Sequence, residues 1–145
     1  MMFLLTIVGT FLLNMLPVSG KGSLQVEVSN VKETRGKIRV GLFRADSGFP
    51  DSDKVYWGMG FAPARGKMTV EIPDLPFGDY ALAVFHDLNG NGKLDKNLLG
   101  VPTEPYGFSG SAKGKWGSPD FEEARFSFSA QGETQRVALS FWEDL

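Results

Sequence analysis

The sequence predicts an all-β fold, a single antiparallel β-sandwich of about seven strands with two long loops. Three observations carry this. Short stretches alternate apolar and polar residues with a period of two. The chain of 145 residues is punctuated by 18 Gly and 8 Pro, a turn-rich composition that suits strands better than a helical bundle. No window of helical length sustains a 3.6-residue period after the amino-terminal segment. A chain of this length can bury an adequate core without covalent staples, in keeping with its lack of Cys.

Taken in order, Met1 to Gly20 carries no charge. Its apolar run from Phe3 to Leu16 is shorter than the ~20 residues a spanning helix needs. Pro17 and then Val18-Ser19-Gly20 follow, the shape of a secretory signal cut before Lys21. The expected organisation is therefore a signal peptide over 1–20 and one β-sandwich domain over 21–145, periplasmic or secreted, with no stable membrane insertion after cleavage. Leu24, Val26 and Val28 define the first strand, Ile38, Val40 and Leu42 the second, and Met68, Val70 and Ile72 the third. Tyr80 to Phe85 is apolar on both faces and predicts a central strand. Ala81 and Ala83 leave room for bulky groups opposite one of those faces. Phe126 and Phe128, then Val137, Leu139 and Phe141, give the last two strands, joined by a turn at Gln131-Gly132. Between these elements, Arg44 to Gly66 and Gly100 to Asp120 read as long irregular loops rich in aromatics, and such loops are commonly functional or packed down by their own side chains.

The formal net charge of −2 offers no basic footprint, so a nucleic-acid partner is not expected. The most specific segment is His86 to Asn97, HDLNGNGKLDKN. Asp87, Asn89 and Asn91 stand at positions 1, 3 and 5 of a calcium-type loop, with Gly92 at 6, the Lys93 carbonyl at 7 and Asp95 at 9. That spacing turns alternate oxygens toward a hard cation. Position 12 holds Leu98 in place of a bidentate Glu, so the shell needs a group from elsewhere, and Glu104 is the nearest by sequence. The candidate Ca2+ ligands are thus Asp87, Asn89, Asn91, Lys93, Asp95 and Glu104, and the predicted site is weak. The competing reading is a plain turn, because Asn89-Gly90 and Asn91-Gly92 are turn dipeptides.

His86 is the only histidine. A hydrolase would pair it with Ser109, but Gly107-Phe108-Ser109-Gly110-Ser111 misses the nucleophile-elbow pattern at its last position. A metal-dependent hydrolase built on His86, Asp87, Asp95 and Glu104 is a further alternative. Tyr56, Trp57, Tyr106 and Trp116 could form a platform for a glycan or small ligand, or could simply cover the ends of the sandwich. The leading expectation is an exported structural or interaction module with a calcium-stabilised loop and a protein or glycan partner.

The run LPFGDYALAVFHDLNGNGKLDKNLLGVPTEPYGFS, Leu75 to Ser109, followed by Gly117-Ser118-Pro119 and Phe121, resembles the bacterial domain of unknown function 2141 family. That resemblance implies an exported single-domain protein of diderm bacteria and supplies no catalytic residues. More loosely, the order of the LPFGDY turn, core strand and acidic loop is similar to immunoglobulin-like and transthyretin-like sandwiches. That likeness implies a sandwich whose acidic loop could hold calcium.

Overall fold

The strand signals become two packed sheets in the computed structural model, which describes residues 19–110 and 112–145. The expected signal segment lies outside the described residues except for Ser19 and Gly20. In β1 (Lys21–Val31) and β2 (Lys37–Phe43) the alternation is realised directly from Leu24 to Val28 and from Ile38 to Leu42, every second side chain being buried. The third predicted strand lies in β4 (Gly66–Pro76) and the central one in β5 (Gly78–Asp87). The last two fall at β7 (Phe126–Phe128) and β8 (Thr134–Ala138), though β8 contains Val137 alone of the expected residues and ends before Leu139 and Phe141. Two further strands, β3 (Trp57–Phe61) and β6 (Tyr106–Phe108), fall inside stretches expected to be loop. Their Gly-rich sequences, WGMGF and YGF, hide the pattern. A single turn of helix, α1 (Phe121–Ala124), precedes β7.

One sheet has the order β4-β1-β8 and the other β3-β2-β5-β6, with β7 paired to the beginning of β5. Among the described residues all pairings between strands are antiparallel save one: β8 runs parallel to β1. The Gln131-Gly132 turn therefore carries the chain from one sheet to the other instead of closing a hairpin.

The inner faces enclose one core, including Leu24, Val26 and Val28 from β1, Ile38, Val40 and Leu42 from β2, and Leu82 and Val84 from β5. The outer face of β5 is covered too. Ala81 is fully buried under a second cluster to which Phe49, Phe108 and Phe121 contribute. Phe49 meets Phe43, Phe108 and Phe121 edge-on at 5.2, 5.8 and 6.3 Å, a favoured aromatic geometry. The small residues of the central strand thus accept aromatics delivered by the two long connections.

Candidate functional site

The last two residues of β5 point to opposite faces, as successive strand residues must. His86, opposite Ile38 in register, closes the inner core and is 1% exposed. Its Nε2 lies 2.8 Å from the Arg35 carbonyl, in the β1–β2 turn, and its backbone N–H donates to the Pro105 carbonyl. Gly36 of that turn has φ +72°, and a Cβ there would collide with the Asp87 carbonyl, so the close approach of turn and strand requires glycine. Asp87 points outward and is also fully buried.

Asp87 organises the loop that follows. Its Oδ1 accepts from the Asn91 N–H at 3.1 Å, and its Oδ2 from the Gly92 N–H at 2.8 Å. Oδ2 also accepts from Arg39 Nε at 2.9 Å, in an ion pair with an arginine side chain 30% exposed. Arg39 reaches it diagonally, because the β2–β5 register sets Lys37 opposite Asp87 and Arg39 opposite Phe85. Burial by itself would raise the Asp87 carboxyl, but the Gly92 amide, the Arg39 guanidinium and the Asn91 amide together hold it below the ordinary carboxylate range.

Glu104 arrives from the far end of the connection and is 3% exposed. Its two oxygens accept from the Leu88 and Asp95 N–H groups, both at 3.0 Å. Two carboxylates therefore brace the loop from beneath through four backbone donors.

Above them Asn89, Asn91 and Asp95 converge. The carboxamide nitrogens of Asn89 and Asn91 donate to Asp95 Oδ2 and Oδ1 at 2.6 and 2.8 Å. Asn89 Oδ1 accepts from the Asn91 N–H and Asn91 Oδ1 from the Lys93 N–H. The structure thus brings Asn89, Asn91 and Asp95 together, with Asp87 and Glu104 set apart beneath them on the backbone amides of the same loop. As a cation shell the set is oxygen-only but poor in charge. Asp87 is neutralised by Arg39, and Glu104 faces backbone amides. Among the described residues no group of three or more acidic or histidine side chains surrounds a common point. Such a donor set fits a hard cation only weakly.

Position 12 has a different fate from that in a calcium loop. Asn97 Oδ1 accepts from the Leu99 and Val101 N–H groups, and the Gly100 N–H donates to the Asn97 carbonyl. The resulting turn, closed by the Lys96–Pro102 bridge, holds Leu98 and Leu99 out at 105% and 88% exposure. Sequence reasoning missed both Arg39 and this apolar tip. Nothing local marks Arg39, since only strand register brings it to Asp87.

The remaining candidates part company. Ser109 is buried beside Leu82, its Oγ donating to the Ala124 carbonyl and accepting from the Leu82 N–H. Leu82 and His86 are four residues apart on one strand, about 13 Å, so Ser109 and His86 are structural brackets at separate places. Trp57 sits on β3, packed against the core, at one edge of its sheet. Trp116 is 90% exposed beyond β6, the opposite edge, where Trp142 Nε1 donates to the neighbouring Lys115 carbonyl. Tyr106 is buried. The aromatics do not assemble one platform.

A family model described as an uncharacterized protein conserved in bacteria (DUF2141) matches residues 26–136, most of the chain and the whole of this site. No curated protein and no solved structure matches it.

Proposed function

The chain belongs to this bacterial family (DUF2141), and from that premise we propose an exported interaction module that presents the β5–β6 connection to a partner protein. The observation that carries this reading is the division of labour within that connection. Its base is braced by the buried Asp87 and Glu104, while its tip exposes Leu98 and Leu99 on a closed turn. Paired leucines held in water without covering neighbours gain by association, at roughly 25 cal/mol per Å2 of apolar area buried. In this reading residues 1–20 are removed on export. Calcium, where it reaches millimolar levels, is held by Asn89, Asn91, Asp95 and the Lys93 carbonyl, with water completing the shell and Asp87 and Glu104 holding the loop in place from beneath. Its role is to stiffen a loop that already has its own hydrogen bonds, and no chemistry is assigned to it.

Two measurements test the reading. A photo-cross-linking residue at position 99 in expressing cells should give a discrete adduct of higher mass, lost in Leu98→Ser. Absence of any adduct at 99 sinks the interaction role. Thermal unfolding with millimolar calcium against chelator should show a stabilisation of about 1.4 kcal/mol at ten times the dissociation constant, abolished in Asp95→Ala. No shift in the wild-type protein leaves the loop as a turn alone.

A further inference from the structure

Among the described residues β3 pairs with β2 alone and is the edge of its sheet. An edge strand carries unpaired N–H and C=O groups along its outer side, and proteins commonly blunt it with Lys, Pro or an inward charge. The strand Trp-Gly-Met-Gly-Phe contains none of these. Exposed apolar side chains gather here: Val55 at 38%, Tyr56 at 42% and Met59 at 53%. The register sets Trp57, Met59 and Phe61 beside Leu42, Val40 and Ile38, the core-facing row of β2. Trp57 and Phe61 pack against that core. Met59, midway between them, is left half in water, so the apolar face stays open at the middle of the edge.

The make-up of β3 specifies what can close it. Read outward from Met59 in either direction, the strand runs glycine then aromatic ring. An antiparallel copy placed with Met59 on Met59 sets Trp57 opposite Phe61 and Gly58 opposite Gly60. A two-fold interface requires each patch to complement itself, and a strand with no charged residue of its own, symmetric about its centre, meets that requirement. Gly58 and Gly60 put no side chain of their own on the outer face of β3, which is overlaid instead by Val55 at Gly58 and by Arg39 and Lys37 of β2 at Gly60, 3.3, 3.0 and 3.2 Å from where a Cβ would stand. On the same register the Arg39 and Lys37 side chains over Gly60 fall beside Val55 over Gly58 of the second copy, so like charges are not set face to face.

We infer that β3 pairs antiparallel with β3 of a second copy, joining the two sheets into one across a dyad at Met59. The association is short and therefore in the micromolar-to-millimolar range. Sedimentation velocity of the purified protein should show a concentration-dependent dimer. Met59→Lys and Met59→Glu each set like charges face to face on the dyad, and each should raise the dissociation constant by about tenfold or more. An equimolar mixture of the two should recover a dimer of mixed mass in native mass spectrometry. Because the chain has no cysteine, Met59→Cys should form a disulfide-linked dimer faster than Leu99→Cys, a more exposed position. The cross-link also serves if either charged variant fails to fold. A wild-type protein still monomeric at about 1 mM overturns the inference. So do charged variants that dimerise like wild type, or Met59→Cys cross-linking no faster than Leu99→Cys.

Discussion

The two long connections that leave and re-enter the β5 edge are ordered by opposite means. The β5–β6 connection is held by charge: Asp87 and Glu104, both buried, accept from the backbone N–H groups of Leu88, Asn91, Gly92 and Asp95, and Arg39 neutralises Asp87. The β6–β7 connection is held by apolar packing, Phe108, Ala112, Phe121 and Ala124 closing with Phe49 over Ala81. Buried polar chains need every partner in place, so the first connection leaves its apolar residues, Leu98 and Leu99, free to face outward. In the second connection Phe108, Phe121 and Ala112 are spent on closing the fold, leaving Trp116 as its exposed ring. Irregular backbone becomes a display surface where hydrogen bonds do the ordering.

This contrast can be broken by substitution. Asp87→Ala should have the largest effect, a loss of about 3 kcal/mol in denaturant unfolding, because it orphans two amides and strips the buried half of an ion pair. Phe49→Ala should cost about 2 kcal/mol, less than the ~3–5 of a fully buried ring, since Phe49 is only partly covered. It should leave hydrogen-exchange protection at Asn91 and Gly92 unchanged, whereas Asp87→Ala should abolish it. Equal loss at those amides in both variants would mean that the two connections are one cooperative unit.

Acid sharpens the comparison further. The Asp87 carboxyl is held below the ~3.9 of an unfolded chain. Its contribution is thus present above that pH and is lost as pH falls through the folded value. Urea midpoints from pH 6 to pH 2.5 should converge for wild type and Asp87→Asn, while the gap between wild type and Phe49→Ala stays constant. The smallest effect belongs to Trp116→Ala, within about 0.5 kcal/mol of wild type by thermal unfolding. Trp57→Ala should cost several times more, because Trp57 packs on the core. A large loss at Trp116 would contradict its exposure.

Much of this was readable in the residues themselves. Period-two alternation at Leu24–Val28, Ile38–Leu42 and Met68–Ile72 determined the strands and their inward faces, because one buried face fixes which residues can be polar. Ala81 announced a covered outer face, and the Asp87–Asp95 spacing announced the loop. β3 and β6 were not readable, since glycine carries no pattern and both form by pairing with a neighbouring strand. Three-dimensional placement alone decided that β8 runs parallel to β1, that Arg39 neutralises Asp87, and that Glu104 meets the Leu88 and Asp95 amides. Placement also set Leu98, together with Leu99, out in solvent. A local spacing determines what a loop could bind. Which of its oxygens are already engaged depends on strand register, and register is a property of the assembled sheet.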